Sequence, residues 1–313
     1  MIEIAYACDE NYIPQTGISM ISMFDNYKGR DKIRVWLVDF GVKDKSCQLL
    51  REICEKSGGC FEVVSGKSVA NDLNIDMTGR HIASIYAKIL FGELIPVRKV
   101  LYLDSDTIVS GSIDEMYNIS MDNFWIAGVE TISSVKRNKQ VGLGEDDIYL
   151  NDGVLLINLD QWNKDHVTDI CKKYIQQWNG NPPVLSEGTI AHVCKERSLR
   201  LEPRYNLLSG IVYFNSKEIE MMTGRKFYSE EERTRAIQSP CVIHYLSAFY
   251  KRPWEIGCSH PLKDQYLKYK DMSPWKTYPL VKKKLSIRLV LIDRLHRYLP
   301  TTIFLKLKQI FGE

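Results

Sequence analysis

The sequence predicts an α/β protein built on a mostly parallel β-sheet that is flanked by helices on both faces. Two observations lead to this prediction. Short apolar runs rich in β-branched and aromatic residues recur along the chain, and segments with the apolar spacing of amphipathic helices lie between several of them. Ligands of such sheets bind beyond the carboxyl ends of the strands, so the residues after each apolar run are the first candidates for a functional site.

The predicted strands and helices alternate along the chain. Strands are predicted at residues 2–7, 33–38, 60–64, 100–103, 125–129 and 154–157. Helices are predicted after Tyr12, after Asp44 and after Gly79, and across residues 162–178. Alternation of strands with helices favours parallel pairing, because a helix can make the crossover that parallel neighbours require.

The composition is that of a folded, soluble enzyme. A length of 313 residues suffices for one large α/β domain, and 44% apolar with 26% charged residues excludes a disordered chain. The first residues lack a basic region and a long apolar core, so a strand is predicted there and not a signal peptide. No run approaches the roughly 18 apolar residues of a spanning helix. The eight cysteines lack zinc-binding spacing, and we expect reduced thiols in a cytosol.

Positive charge is concentrated at the end of the chain. Residues 276–313 carry nine Lys or Arg against two acidic residues, a balance of +7, which leaves −4 for residues 1–275 from the net charge of +3. We predict a folded domain over residues 1–275 and a basic amphipathic tail over residues 276–313. Within it, residues 280–311 form the amphipathic segment expected to bind an anionic membrane surface, where each basic residue adds about 1 kcal/mol. The alternative is a helical pair that packs on the domain or on a dimer partner.

The acidic triplet Asp104-Ser105-Asp106 follows the apolar run 100–103. If the chain bends there, two carboxylates one residue apart can converge on one cation. A divalent ion held in this way can bridge the two phosphates of a nucleotide diphosphate and stabilise the charge on the leaving group. A solvated turn is the alternative, but the position at the end of a buried strand favours a metal site.

Two further polar clusters follow predicted strands or precede them. Asp9 and Asn11 come after the first strand and can hydrogen-bond the polar edge of a base, although a helix N-cap explains them equally well. Asn151, Asp152 and Gly153 precede the run 154–157 and can approach and bind sugar hydroxyls, with a plain loop as the alternative. Neither cluster decides between a ligand site and a turn by itself.

A histidine and two basic residues form the last cluster. His244 follows a short apolar run, and Lys251 and Arg252 follow it closely. A histidine in this setting is commonly a hydrogen-bonded structural residue, and basic pairs are commonly solvated. The functional interpretation is that His244 is a ligand and that the basic pair neutralises phosphate.

Taken in order, these clusters resemble glycosyltransferase family 8, the retaining enzymes of GT-A fold that include bacterial lipooligosaccharide galactosyltransferases. The resemblance covers about residues 1–256. It is carried by the segments Ala7-Cys8-Asp9-Glu10-Asn11-Tyr12, His81-Ile82 to Tyr86-Ala87-Lys88, Val100-Leu101-Tyr102-Leu103-Asp104-Ser105-Asp106, Asn151-Asp152-Gly153-Val154-Leu155-Leu156-Ile157-Asn158-Leu159, His244-Tyr245 and Lys251/Arg252-Pro253-Trp254. It implies a Rossmann-like GT-A catalytic domain over residues 1–275, which transfers galactose or glucose from a UDP-sugar to a surface glycan or glycoprotein.

The resemblance also assigns roles to residues. Asp104, Asp106 and His244 match the family's metal ligands, a mixed oxygen and nitrogen set that favours Mn²⁺ over Mg²⁺. Lys88 stands where the family has Arg or Lys, and it keeps the charge without the guanidinium fork. The residues expected to bind the donor UDP-sugar are Ala7, Asp9, Asn11, Lys88, Asp104, Ser105, Glu130, Asn151, Asp152, Gly153, Lys251 and Arg252. Among them, Asp9 and Asn11 match uracil and ribose contacts, the 151–153 loop and Glu130 face the sugar, and Lys251 or Arg252 meets the diphosphate.

One departure from the family concerns mechanism. Where close relatives read Gln-Asp-Gln-Asp, this chain has Ser186-Glu187-Gly188-Thr189. Glu187, Asp152 and Gly188 are thus the catalytic positions, and Gly188 stands where a side chain beside the anomeric carbon is expected. Without that side chain, front-face substitution assisted by the leaving phosphate is favoured over a covalent intermediate. Glu187 is the alternative nucleophile.

Two other functions fit the sequence less well. A sugar-nucleotide pyrophosphorylase has a similar sheet but needs a Gly-rich basic loop near the N-terminus, where this chain is acidic. A non-catalytic nucleotide-sugar-binding protein would not need to keep Asp104, Asp106 and His244. We expect a cytoplasmic enzyme of lipopolysaccharide or capsule biosynthesis on the inner face of the membrane, with no nucleic-acid partner.

Overall fold

A computed structural model describes residues 1–75, 83–247 and 251–282, together with Tyr298, Leu299 and Ile303. In these residues a seven-stranded sheet has the order β3-β2-β1-β4-β7-β6-β8, and a three-stranded sheet has the order β5-β10-β9. The strands are β1 (Ile2–Cys8), β2 (Ile33–Asp39), β3 (Cys60–Ser65), β4 (Lys99–Leu103), β5 (Thr107–Val109), β6 (Ile126–Glu130), β7 (Leu150–Asn158), β8 (Ser198–Arg200), β9 (Leu207–Leu208) and β10 (Val242–His244).

Helices cover both faces of the large sheet. The α-helices are α1 (Ile13–Asn26), α2 (Asp44–Lys56), α3 (Val69–Asp72), α4 (Phe91–Leu94), α5 (Asp114–Tyr117), α6 (Val135–Gln140), α7 (Leu159–Lys164), α8 (Val167–Gln177), α9 (Leu185–Cys194), α10 (Ser209–Tyr213), α11 (Ser216–Thr223), α12 (Glu230–Gln238) and α13 (Lys263–Asp271). Short 3₁₀ helices span Glu10–Tyr12, Ala83–Leu90, Lys195–Arg197 and Pro203–Asn206.

Most strand pairs of the large sheet are parallel. Strand β1 pairs in parallel with β2 and β4, β2 with β3, and β6 with β8, whereas β7 runs antiparallel between β4 and β6. Alternate residues of β4 enter different cores: Leu101 and Leu103 pack on one face, and Val100 and Tyr102 on the other. Burial of both faces explains why the run 100–103 is continuously apolar. The predicted mostly parallel, helix-flanked sheet is confirmed.

Several predicted boundaries and element types were wrong. The segment after Gly79 contains a 3₁₀ helix at Ala83–Leu90, and the helix predicted over 162–178 is divided into α7 and α8 at His166, whose φ is 54°. The largest error concerns Asn151, Asp152 and Gly153, which were expected in a loop and lie inside β7. They can belong to a buried strand because their side chains and backbone find polar partners there. The small second sheet was not predicted, since its strands have only two or three residues.

Helix α1 holds the chain segment that follows β4. Three hydroxyl groups at every third position of the helix face alternate residues of that segment. Thr16 Oγ1 lies 2.8 Å from Ser105 Oγ, Ser19 Oγ lies 3.0 Å from Thr107 Oγ1, and the Ser22 hydroxyl accepts a 2.9 Å hydrogen bond from the Val109 amide. This segment, residues 105–109, therefore lies between α1 and β10.

Residues on both sides of the predicted domain boundary contact each other. The Ile256 amide donates to the Val281 carbonyl at 3.0 Å, and the Val281 amide donates to the Trp254 carbonyl at 2.8 Å. Leu299 packs against the core that contains α1. The division at residue 275 stays a prediction, and most of the tail, residues 283–297, 300–302 and 304–313, lies outside the described residues. Among the described helices, none has the length and apolarity to cross a membrane.

Candidate active site

A cavity of about 170 Å³ opens at the carboxyl ends of β1 and β4. This is the place that the parallel sheet predicted for a ligand. It contains much of the sequence-predicted site and is lined by Ala7, Cys8, Asp9, Tyr12, Ser84, Ile85, Tyr102, Asp104, Ser105, Asp106 and Arg252. A larger groove of about 680 Å³ lies at the opposite end of these strands, between Met1 and Asn158, away from the acidic triplet.

Asp104, Asp106 and His244 converge beside this cavity. The His244 Nε2 atom lies 3.0 Å from Asp106 Oδ1 and 3.8 Å from Asp104 Oδ2, and one ligand atom of each residue falls within 4.8 Å of the others. The Thr107 hydroxyl closes the bend after β4 by donating to the Asp104 carbonyl at 2.8 Å. Because β5 pairs antiparallel with β10, Thr107 stands opposite His244 and brings the histidine to the acids.

The residues present fit a divalent cation. His244 is buried, and although its Nε2 atom lies 3.0 Å from Asp106 Oδ1, this contact lacks the geometry of a hydrogen bond. Gly153 keeps the space around it clear: a Cβ there would overlap His244 Cε1 and lie 2.6 Å from Asp104 Oδ2. Two carboxylate oxygens and an imidazole nitrogen form a donor set that suits first-row divalent ions. Such an ion would bind this nitrogen and offset the negative charges of Asp104 and Asp106.

Burial and charge shift the three pKa values differently. Burial raises the pKa of Asp104 to about 6, although Lys88 opposes the rise. Burial also acts to raise the pKa of Asp106, but His244 and Arg252 outweigh it and lower that pKa. For His244, burial acts to lower the pKa, and Asp106 together with Asp104 raises it overall. The charge state of each residue therefore depends on its charged neighbours. Such mutual dependence is typical of a site that binds an additional charged group.

Lys88 lies behind the acidic triplet, not in the open cavity. It is 2% exposed, and its Nζ donates to Asp152 Oδ2 at 2.9 Å and to the Asp152 carbonyl at 3.0 Å. The ammonium also stands 4.6 Å from the ring centre of Tyr102, whose hydroxyl donates to Asp104 Oδ1 at 2.5 Å. Burial acts to lower the pKa of Lys88, and Asp152 with Asp104 raises it overall, so the lysine is a charged partner of both acids.

Glu187 and Gly188 lie in the first turn of α9. The Glu187 carboxylate accepts a 3.2 Å hydrogen bond from Asn151 Nδ2, and burial with the nearby Asp152 raises the pKa of Glu187 to about 7. Gly188 packs against the loop before α9: a Cβ on it would overlap the Pro183 carbonyl oxygen. This turn packs too closely on its own preceding loop to admit a side chain at residue 188.

The sequence allowed either a helix N-cap or a base-binding role for Asp9 and Asn11, and the structure shows the N-cap. Asp9 Oδ1 accepts from the Asn11 amide at 2.9 Å and so caps the 3₁₀ helix Glu10–Tyr12. The Asn11 side chain donates back to Asp9 Oδ2 at 3.2 Å. Asp9 nevertheless lines the cavity beside Ala7 and Tyr12. Their contacts to uracil and ribose stay predictions.

The two basic residues after His244 have different environments. Arg252 reaches into the cavity, where Nη2 lies 2.9 Å from Asp106 Oδ2 and Nη1 donates to the Tyr12 hydroxyl at 3.3 Å. Lys251 Nζ instead donates to the Ile256 carbonyl at 3.0 Å. The geometry therefore separates a pair that the sequence left equivalent.

Glu130 is another predicted donor-binding residue that does not line this cavity. Its buried carboxylate at the end of β6 is ion-paired with Arg225 and, at 2.8 Å, with Arg200 Nε. Two guanidinium groups already occupy the oxygens that were expected to meet sugar hydroxyls. A contact between Glu130 and the donor stays a prediction.

Several residues in or next to the site were missed from the sequence. Asn206 contacts His244, Ser186 donates to Asp152 Oδ2 at 2.7 Å, and Tyr102 contacts Asp104. Tyr102 was available as a signal, because a polar tip on a buried strand residue needs a partner. Asn206 carried no such signal, since only the pairing of β9 with β10 brings it to the histidine.

The chain matches a known family and is similar to several known proteins. The model of a family described as Glycosyl transferase family 8 matches residues 3–256. General stress protein A of Bacillus subtilis (strain 168) is 22% identical over 283 residues, which cover 88% of this chain and 96% of that protein. Lipopolysaccharide glucosyltransferase WaaO of Escherichia coli (strain K12) is 24% identical over 290 residues, covering 90% and 81%. A crystal structure of galactosyltransferase LgtC with donor and acceptor sugar analogues has a TM-score of 0.74 at 20% identity, covering 87% of this chain and 96% of that one. The shared fold confirms the GT-A prediction.

Proposed function

We propose that this chain, which belongs to glycosyl transferase family 8, transfers galactose or glucose from a UDP-sugar to a surface glycan or glycoprotein, with retention of configuration and with Mn²⁺. Family membership makes the protein a glycosyltransferase that uses a nucleotide-sugar donor and a divalent metal. The observation that carries the finer proposal is the convergence of Asp104, Asp106 and His244 beside the cavity at the ends of β1 and β4.

The charged residues of the cavity suit the diphosphate of the donor. A divalent cation held by Asp104, Asp106 and His244 supplies charge neutralisation for the leaving UDP when it is bound. Arg252 contacts the second carboxylate oxygen of Asp106, Oδ2, which supports a role for its guanidinium in binding a phosphate oxygen next to that site. Tyr12, which contacts Arg252, and Ala7 line the part of the cavity assigned to uridine.

The sugar of the donor is assigned to the polar residues of β7 and α9. Asp152 and Asn151 lie on β7, and Glu187 lies in the first turn of α9 within hydrogen-bond distance of Asn151. Lys88 and Ser186 both bond Asp152 Oδ2, so that carboxylate is held in one orientation. Carboxylate and amide groups fixed in this manner can discriminate hydroxyl positions of a hexose.

We infer front-face substitution for the transfer step. The acceptor hydroxyl oxygen bonds to the anomeric carbon, the bond from that carbon to the β-phosphate oxygen breaks, and the hydroxyl proton passes to the released phosphate. The packing of Gly188 against Pro183 supports this course, because no side chain at residue 188 can reach the sugar. The raised pKa of Glu187, about 7, weakens its carboxylate as a nucleophile at neutral pH by leaving part of it protonated.

Donor identity and stereochemistry can be tested together. The purified protein is incubated with UDP-galactose, UDP-glucose and other UDP-hexoses, and slow hydrolysis is followed by proton NMR. The first sugar released from the preferred donor should have the α configuration of the donor, and no glycosylated Glu187 should accumulate. Release of the β anomer, or a trapped glycosyl ester on Glu187, would contradict the proposed mechanism.

We propose further that the basic tail attaches the enzyme to an anionic membrane surface. Exposed apolar side chains at the described end of the chain support this, namely Ile256, Tyr278, Leu280 and Val281, with Lys276 and Lys282 beside them. Leu299, which packs against the core, supports the alternative of a tail docked on the enzyme itself. Deletion of residues 283–313 should abolish sedimentation with phosphatidylserine vesicles, and unchanged sedimentation would contradict membrane attachment by the tail.

A further inference from the structure

A buried ladder of hydrogen bonds joins His244 to Glu187. His244 Nδ1 lies 3.1 Å from Asn206 Oδ1, Asn206 Nδ2 donates to Asn151 Oδ1 at 2.8 Å, and Asn151 Nδ2 donates to Glu187 Oε2 at 3.2 Å. Asn206 is 0% exposed and Asn151 is 4% exposed, so water does not compete for these bonds. The ladder runs from the side of the site assigned to the metal to the side assigned to the donor sugar.

Each step of the ladder has one polarity. A backbone amide can only donate, and the Gly153 amide lies against Asn151 Oδ1, so the amide nitrogen of Asn151 faces Glu187. That oxygen accepts from the Gly153 amide at 3.2 Å and from Asn206 Nδ2. The Asn206 oxygen is then left to face His244. An amide oxygen can only accept, so Nδ1 of His244 carries a proton, and Nε2 is the ring nitrogen that faces Asp106 and is left for a cation.

Pairing of the neighbouring backbone also fixes the position of Asn206. Asn206 ends the 3₁₀ helix Pro203–Asn206 and immediately precedes β9, and β9 pairs in parallel with β10, with Leu208 opposite His244. The Ser209 hydroxyl also donates to the His244 carbonyl at 3.3 Å. The carboxamide therefore meets the ring from a neighbouring strand, and the imidazole cannot rotate without breaking that bond.

We propose that Asn206 is a positioning residue that fixes the tautomer and the ring orientation of His244, so that Nε2 is offered to a cation between Asp104 and Asp106. Through Asn151 the same ladder ties this orientation to Glu187. The part about the metal ligand stands on the geometry of His244, whereas the link to the donor sugar rests on the proposed function. When the second ring nitrogen of a metal-binding histidine loses its hydrogen-bond partner, metal affinity typically falls by about 10- to 100-fold.

The first test uses two substitutions of Asn206. Leucine has a similar size and no polar atoms, so Asn206→Leu should weaken Mn²⁺ binding by roughly 10- to 100-fold in titration calorimetry without any donor. Asn206→Asp keeps an acceptor for Nδ1–H but loses the donor to Asn151 Oδ1, so it should weaken Mn²⁺ binding less than Asn206→Leu does. Asn158→Leu is the control, because it too replaces an asparagine that makes two side-chain bonds, to Met121 and Gln161, but it lies at the end of β7 away from the site.

A second measurement separates positioning from general destabilisation. Nitrogen-15 NMR of the metal-free protein reports the tautomer of each of the six histidines. Nδ1 of His244 should be protonated in the unchanged protein and in Asn158→Leu, and it should lose this proton at least in part in Asn206→Leu. Asn151→Leu should give an intermediate loss of Mn²⁺ affinity, since the Asn206 amide is then held only by His244.

The outcomes distinguish this inference from the proposed function. If the unchanged protein binds Mn²⁺, and a folded Asn206→Leu binds it equally well with the same His244 tautomer, Asn206 has no positioning role, and the proposed function is untouched. If Asn206→Leu and Asn158→Leu lose affinity equally, the effect is general destabilisation, and the inference is wrong. If the unchanged protein binds no Mn²⁺ or other divalent ion, both the inference and the metal-dependent function fail.

Discussion

Gly153 and His244 are in direct contact across the candidate metal site. A Cβ on Gly153 would overlap Cε1 of His244 and stand 2.6 Å from Asp104 Oδ2. We predict that Gly153→Ala displaces one of these ligands and weakens Mn²⁺ binding by at least tenfold, measured by calorimetry. Gly144→Ala is the control, because its Cβ would meet only Asp147 Oδ2, at 3.6 Å. Equal Mn²⁺ affinities for the two variants would show that Gly153 does not border the metal.

Lys88 should contribute strongly to the stability of the fold, because it is the ion-pair partner of Asp152. Lys88→Met removes the partner of the buried Asp152 carboxylate, and breaking such a pair typically costs about 3–5 kcal/mol of unfolding free energy. Urea denaturation without metal or donor measures this loss. Arg98→Met, which breaks the exposed pair with Asp160, should not change the urea midpoint measurably. A Lys88→Met midpoint equal to that of Arg98→Met would contradict the buried ion pair.

Arg252 and Lys251 should differ in their effect on catalysis. Arg252 contacts Asp106 inside the cavity, while Lys251 contacts the Ile256 carbonyl. Loss of a charge-assisted contact to a phosphate typically costs about 1.5–3 kcal/mol, so Arg252→Ala should reduce kcat/KM for the UDP-sugar by roughly 10- to 100-fold. Lys251→Ala should reduce it by less than about threefold. The opposite ranking would assign the diphosphate to Lys251.

Glu187 should make stability depend on pH. Its pKa is raised from 4.5 to about 7 by burial and by Asp152, so the folded state retains a proton that the unfolded state loses. This contribution is fully present below about pH 4.5 and is lost as the pH rises through 7, which amounts to roughly 3 kcal/mol of unfolding free energy. Glu187→Gln should remove that part of the slope in urea unfolding between pH 5 and 8. An unchanged slope would mean that Glu187 is ionised normally in the fold.

The sequence predicted those parts of the fold and site that depend on local pattern. The run 100–103 is apolar because both faces of β4 are buried, and the acidic residues after it follow from the direction of the strand. His244 was linked to them only through the family resemblance. The structural link, pairing of β5 with β10, joins segments about 140 residues apart and leaves no periodic signal in strands of three residues.

The errors concern residues whose partners are distant in sequence. Asn151, Asp152 and Gly153 look like a loop because polar residues are rare in buried strands, yet here Asn206, Lys88 and the Asp104 amide supply their partners. Those partners come from three separate elements, so no stretch of sequence contains the information. The ladder from His244 to Glu187 was invisible for the same reason.

The measurement that tests the central claim most directly is release of UDP from a panel of UDP-hexoses, with and without Mn²⁺. The unchanged protein should release UDP from UDP-galactose or UDP-glucose only when Mn²⁺ is present. Asp106→Asn removes one carboxylate oxygen from the convergent Asp104, Asp106 and His244 set, and it should lose this activity at least 100-fold while its circular dichroism spectrum is unchanged. Absence of turnover with every donor, together with UDP binding that does not respond to metal, would contradict the account.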